Sequence, residues 1–151
     1  MDTQAISAIT ALVAVIVGPT VSVYLAKRQI HASVVSSNRQ KWIDNLRDQL
    51  SEIITSIRIL GLHRSMDRIE QEEFDRRLEN LVLMETKINL LLNPLEADHK
   101  AISETIHKAI EKLFAGDERE KRVAVKELSS SLIAQAQSIL KREWQRVKTG
   151  D

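Results

Sequence analysis

TQAISAITALVAVIVGPTVSVYLA, residues 3–26, runs for 24 residues without a charged side chain, and the first charges beyond it are Lys27 and Arg28. Coiled as a helix it would reach about 36 Å, against about 30 Å of bilayer hydrocarbon. Its wealth of Ile, Val, Leu and Ala predicts a membrane-spanning helix over about 4–26. A cleavable signal peptide fits less well, because such peptides open on a basic region and carry a core of only about 7–15 apolar residues. Here Asp2 is the sole charged side chain before the run. A buried helix of a soluble bundle is the other competitor, but few soluble cores need so long an uncharged stretch.

Orientation follows from the flanking charge. Lys27, Arg28, Arg39 and Lys41 lie beyond the run, and no Lys or Arg precedes it. The excess of basic residues on the cytoplasmic side of membrane proteins then places the N-terminus outside. The expected location is the inner, cytoplasmic membrane, as a single-pass protein with its remaining chain in the cytoplasm. The absence of cysteine agrees with a reducing compartment. Gly18-Pro19 falls inside the run, so a kink near Val15–Pro19 is expected where proline removes a backbone hydrogen bond. Two readings attach to it. Gly18, with Ser7, Thr10, Thr20 and Ser22, would let spans pack closely on one another; or the hydroxyls simply bond their own backbone, as in ordinary anchors.

The 125 residues after the run suffice for one domain with its own core. They hold all 22 Lys and Arg against 20 Asp and Glu, once Asp2 is set aside. So even a balance lacks the clustered basic surface that nucleic acid requires. With aromatic residues at 3% there is also no stacking platform for single strands. Four glycines and two prolines leave few places to break a helix. The expected fold is all-α, one N-terminal transmembrane helix followed by an antiparallel four-helix bundle. Residues 1–28 form the anchor, 29–37 a juxtamembrane connector, helical or not, and 38–148 the bundle.

Three helix starts share one local pattern. Asp67 precedes Glu70, Asn93 precedes Glu96 and Asp117 precedes Glu120, each by three residues, as a capping box requires. Pro94 would occupy the first helical position, where its missing N–H costs nothing, and Gly116 suits the end of the preceding helix. Ser37 with Gln40 offers a further start unless the first helix runs through it. The helices then fall near 38–64, 68–92, 94–114 and 118–148. Ile43, Leu46, Leu50, Ile53, Ile57 and Leu60 alternate steps of three and four, a seam for coiled-coil-like packing. Phe74, Leu78, Leu81, Ile88, Leu92 and Leu95 give the second seam. Ile102, Ile106, Ala109 and Leu113 give the third, and Val125, Leu128, Leu132, Ala136 and Ile139, extended to Val147, the fourth. Short connections make successive helices antiparallel.

Candidate chemistry is sparse. Glu96 with His99 and Glu104 with His107 have the Glu-x-x-His spacing of di-metal bundles, but both pairs lie on one helix and so cannot converge. No third ligand for a single ion is evident, so no metal or other cofactor is expected. Asp98, His99 and Ser103 crowd one helix too closely for a catalytic triad. With no glycine-rich phosphate loop or nucleophile elbow, an enzyme is not expected. The alternating charges from Arg64 to Glu79 suggest a solvated hairpin tip. Arg39, Lys41 and Arg47 fit lipid headgroups, and Trp42 fits either the interface or the core beside Ile43. Trp144 would cover the same end of the bundle.

Arg39-Gln40-Lys41-Trp42-Ile43-Asp44-Asn45-Leu46-Arg47 and Leu90-Leu91-Leu92-Asn93-Pro94-Leu95-Glu96-Ala97-Asp98-His99 resemble two blocks of uncharacterised bacterial membrane-anchored helical proteins. The resemblance implies a bacterial or phage origin and an anchored cytoplasmic bundle, and it carries no activity with it. Asp98 and His99 exceed what helix capping needs, so a polar contact from them to Arg47 or Trp42 is expected. The leading functional expectation is a binding or scaffolding protein at the membrane, acting through helix–helix contacts with the bilayer and with copies of itself or another protein. The alternative is a membrane-perturbing effector, of phage-defence or toxic type, whose spans assemble at Gly18-Pro19.

Overall fold

The computed structural model describes residues 3–65, 69–114 and 117–149; the side chains at 3–14, 16, 31, 32, 64, 65 and 118 lie outside the described residues. Four α-helices and no strand are found among them: α1 (Thr3–Ser65), α2 (Gln71–Leu91), α3 (Ala97–Glu111) and α4 (Glu118–Thr149). The fold is all-α, a helical bundle.

The expected anchor helix and first bundle helix are one element. α1 spans 63 residues and passes through Pro19 and through the connector at 29–37 without a break. The reason lies in composition, since no glycine or proline occurs between Pro19 and Gly61. Proline at 19 costs the helix one backbone bond, which neighbouring turns absorb. Only the second half of α1, from Trp42 onward, belongs to the bundle.

The bundle is antiparallel throughout. The indole of Trp42, early in the packed part of α1, bonds the last turn of α2. Glu85 and Asn89 of α2 meet His107 and Ser103 of α3 in reverse order. Arg142 near the end of α4 reaches Asp98 at the start of α3. Gly61, near the end of α1, abuts Val125 near the start of α4, where a Cβ on the glycine would lie 3.1 Å from Val125 Cγ1. Each helix thus packs on its chain neighbours, and α4 closes the ring against α1.

The core is the predicted one in α1: Ile43, Leu46, Leu50, Ile53, Ile57 and Leu60 are all buried. Facing them are Phe74, Leu81 and Ile88 of α2 with Leu92 just beyond its end, Ile102, Ile106, Ala109 and Ile110 of α3, Leu113, and Val125, Leu132, Ala136 and Ile139 of α4. Each such side chain contributes about 1.5–3 kcal/mol by leaving water. Leu78 and Leu128 pack against this cluster from its margin.

The helix starts divide. Asp117 caps α4 as expected, its Oδ1 accepting the backbone N–H of Arg119 and of Glu120 at 2.8 Å. α2 begins later than expected: Glu70 itself is the N-cap, extended at φ −66° and ψ 152°, with no side-chain capping bond. Asp67 and Gly116 lie outside the described residues. α3 also starts three residues late, with Glu96 at its N-cap. Asn93 and Pro94 serve a turn instead, in which the Glu96 N–H donates to the Asn93 carbonyl at 3.1 Å and the Leu95 N–H to Asn93 Oδ1 at 3.1 Å. The fixed φ of proline suits the second position of a turn as well as it suits a helix start. Leu95 therefore leaves the α2 seam and is 91% exposed.

Among the described residues no helix is long and apolar enough to cross a membrane. Half of the uncharged run, residues 3–14, has its side chains outside the described set. In the other half Val15, Val17, Val21, Val23, Tyr24 and Leu25 are all exposed, as are Ile30, Val34 and Val35 beyond it.

Candidate functional site

Four chain segments meet at the end of the bundle from which the arm of α1 emerges: Trp42, the end of α2, the start of α3 and the end of α4. Trp42 Nε1 donates to the Leu91 carbonyl at 2.9 Å. That oxygen belongs to the last turn of α2, where carbonyls have no partner within their own helix. The indole caps α2 from across the bundle, and its ring lies 6.1 Å from that of His99, tilted by 39°. Trp42 is half-buried and packs against the core cluster.

His99 is 2% exposed. The Asn93 N–H donates to its Nδ1 at 2.9 Å, so a neutral ring carries its proton on Nε2. Around that nitrogen gather the acids of α3 and the end of α4. The Arg142 guanidinium binds Glu96 through Nη2 and Asp98 through Nη1. Its Nε donates to Glu143 at 3.0 Å. Arg146, one turn on, donates to Glu143 at 2.7 Å and approaches Glu96 at 3.5 Å. Glu143 is the most buried of the acids, 6% exposed in its side chain.

Burial alone would raise the Glu96 carboxyl, but the charges of Arg142 and Arg146 hold it below its ordinary value. Burial likewise opposes ionisation of Asp98, and the bond and charge of Arg142 outweigh it, so that carboxyl is lowered too. Arg142 is raised despite its burial, by its bonds to Asp98 and Glu143. Both arginines are thus held by acids from two helices, and the cluster ties the start of α3 to the end of α4.

Oxygens of Glu96 and Glu143 and a nitrogen of His99 come within 4.8 Å of one another, so the third ligand that α3 lacks is supplied by α4. The set nevertheless does not fit a metal ion. With Nδ1 occupied as an acceptor, Nε2 holds its proton and has no lone pair to give. Arg142 Nη2, 3.3 Å from Nε2, stands where an ion would. A guanidinium already supplies the positive charge these acids need.

The structure brings together Trp42, Asn93, Pro94, Asp98 and His99, joining the two sequence blocks. The expected partner Arg47 is elsewhere: it is exposed and pairs with Asp44 at 2.6 Å, one turn back on its own helix. Arg39 is half-buried, one turn before Trp42. Gly18 and Pro19 lie far up the exposed arm, and a Cβ on Gly18 would meet nothing within 4 Å. Trp144 does not cover the bundle end; it is 45% exposed, with Lys148 Nζ 3.5 Å from its ring centre. Ser103 donates to Asn89 at 2.7 Å, away from Asp98.

No protein-family model, curated protein or solved structure matches this chain.

Arg142, Glu143 and Arg146 are the residues that sequence reading missed. One signal was present. Glu143 continues the steps of the α4 seam four residues after Ile139, and His99 continues that of α3 three residues before Ile102. An acid and an imidazole on two seams, at the same end of an antiparallel pair, already imply a buried polar layer.

Proposed function

We propose that the chain is a membrane-anchored binding or scaffolding protein, its span at about 4–26 and its bundle on the cytoplasmic face. The observation that carries this reading is the contrast within α1: one helix is buried in the bundle from Ile43 to Leu60 and exposes an uncharged apolar surface from Val15 to Leu25. An apolar rod of that kind needs lipid, or other apolar helices, around it. The charges at Lys27 and Arg28 supply the cytoplasmic boundary. The locked polar cluster supports a rigid bundle that presents surfaces.

The Ser22 hydroxyl donates to the Gly18 carbonyl at 2.8 Å, within its own helix. It is satisfied without a neighbouring span, which favours an anchor over an assembling pore.

The chain has no cysteine, so single introduced cysteines report its topology cleanly. Ser130→Cys, on the exposed face of α4, should react with a membrane-impermeant maleimide only after the cells are opened, and the protein should resist carbonate extraction. Val23→Asp should release it from the membrane. Crosslinking in native membranes should trap a homo-oligomer or a partner. Extraction by carbonate, or labelling of Ser130→Cys in intact cells, would overturn the anchored topology; a strictly monomeric chain with no partner would overturn scaffolding.

A further inference from the structure

Clefts open between the helices among the described residues, and three of them differ in charge. One of about 310 Å³ between α1 and α2 contains Arg76 and Arg77, which share Glu73 as their ion-pair partner, 2.6 Å from Arg77 Nε. One of about 470 Å³ beside Pro94 carries both Lys100 and Glu104, so its lining holds charges of both signs, and its Ser103 bonds Asn89. The third, about 400 Å³, lies between α1 and α4 at the opposite end of the bundle from the polar cluster. Arg58, Arg122 and Lys126 rim it, Ile59, Leu62 and Val125 supply its apolar surface, and among the described residues no carboxylate lines it. These three cations make no ion pair among the described residues.

That arrangement has a local cost. Arg122 and Lys126 are like charges four apart on one helix face, a spacing that destabilises a helix by about 0.2–0.5 kcal/mol. Arg58 adds a third charge from the facing helix. Cations of one sign around a low-dielectric wall concentrate anions. A guanidinium offers a fork matched to carboxylate or phosphate, and an ammonium adds a point charge. The apolar surface between them selects against small hydrated ions, and the volume is that of a small-molecule site, roughly 300–1,000 Å³.

From this juxtaposition of three unpaired cations with an apolar cleft, we propose that the α1–α4 cleft binds a small organic anion with an apolar body, such as a medium-chain carboxylate. The head group sits among Arg58, Arg122 and Lys126, and the hydrocarbon lies on Ile59, Leu62 and Val125. The site is about 24 Å along α1 from Trp42, at 1.5 Å per residue, so it stands independently of whether the arm enters a bilayer.

The test is calorimetric titration of the full chain, in nanodiscs with empty discs subtracted or in plain buffer if it proves soluble. The ligands are octanoate, octanamide and inorganic phosphate. Octanoate should bind at least tenfold more tightly than either of the others. Arg122→Gln with Lys126→Gln should lose at least tenfold in octanoate affinity with an unfolding midpoint no lower than the parent's, and Arg58→Gln should lose less. Equal binding of acid and amide, phosphate binding as well as octanoate, no octanoate binding, or full binding by the double variant would each overturn the proposal. So would an acidic peptide that binds where octanoate does not.

Discussion

The two halves of α1 are chemically alike in their content of Ile, Val and Leu, yet one is sealed inside a bundle and the other is bare. The difference is pattern. From Ile43 to Leu60 a seam of apolar residues recurs every three or four positions with Asp44, Arg47, Asp48 and Arg58 off it, so one face is dominantly apolar and one orientation buries it. From Thr3 to Ala26 the apolar residues go all round, and no single packing face is defined. Periodicity specifies a helix neighbour; bulk apolarity specifies a solvent.

The sharpest way to break this contrast is to truncate one residue in each half. Ile53→Ala, at a fully buried position, should cost about 3 kcal/mol of bundle stability. Val21→Ala on the exposed arm should change it by less than about 0.5 kcal/mol. Urea unfolding followed by tryptophan fluorescence measures both, and equal effects would mean the arm packs on the bundle.

A smaller effect tests how the packed half is held at its entry end. Arg142→Ala leaves Glu143, Glu96 and Asp98 without their main counter-charge, for about 2 kcal/mol after allowing for partial exposure. It should also change the acid response. Glu96 and Asp98 have lowered values in the folded state, so their stabilisation is complete above the unfolded carboxyl values of about 4. It is lost as pH falls from there through the folded values. Stability of the parent chain should therefore drop with acid in this range, and that of Arg142→Ala should drop less steeply.

Trp42→Phe is the mildest probe, keeping the ring on the core while orphaning the Leu91 carbonyl, for about 1 kcal/mol. A null effect would assign the Trp42 contribution wholly to packing.

Legibility followed the same divide. The α1 seam and the Asp117 cap were readable because each is local: regular spacing in one case, an acceptor within three residues of its donors in the other. The contact between the two blocks was readable in part, since Asp98 and His99 exceeded the needs of helix capping. Its partner was not Arg47, because Asp44 lies within reach on the same helix and takes that charge first. The start of α3 was misplaced because Asn93-Pro94 satisfies the rules for a turn and for a helix start equally well. Arg142 and Arg146 looked like a solvated helix end, and only their position opposite α3 makes them counter-ions.

The unbroken course of α1 makes it a shaft. Without a glycine or proline between Pro19 and Gly61 there is no swivel between arm and bundle. One residue inserted at 29–37 would turn the bundle by about 100° and shift it by about 1.5 Å, whereas seven would return it to within about 20° while moving it about 10 Å. Azimuth and height are geared together in this molecule, and the number of residues between Leu25 and Trp42 sets which surface of the bundle faces which way.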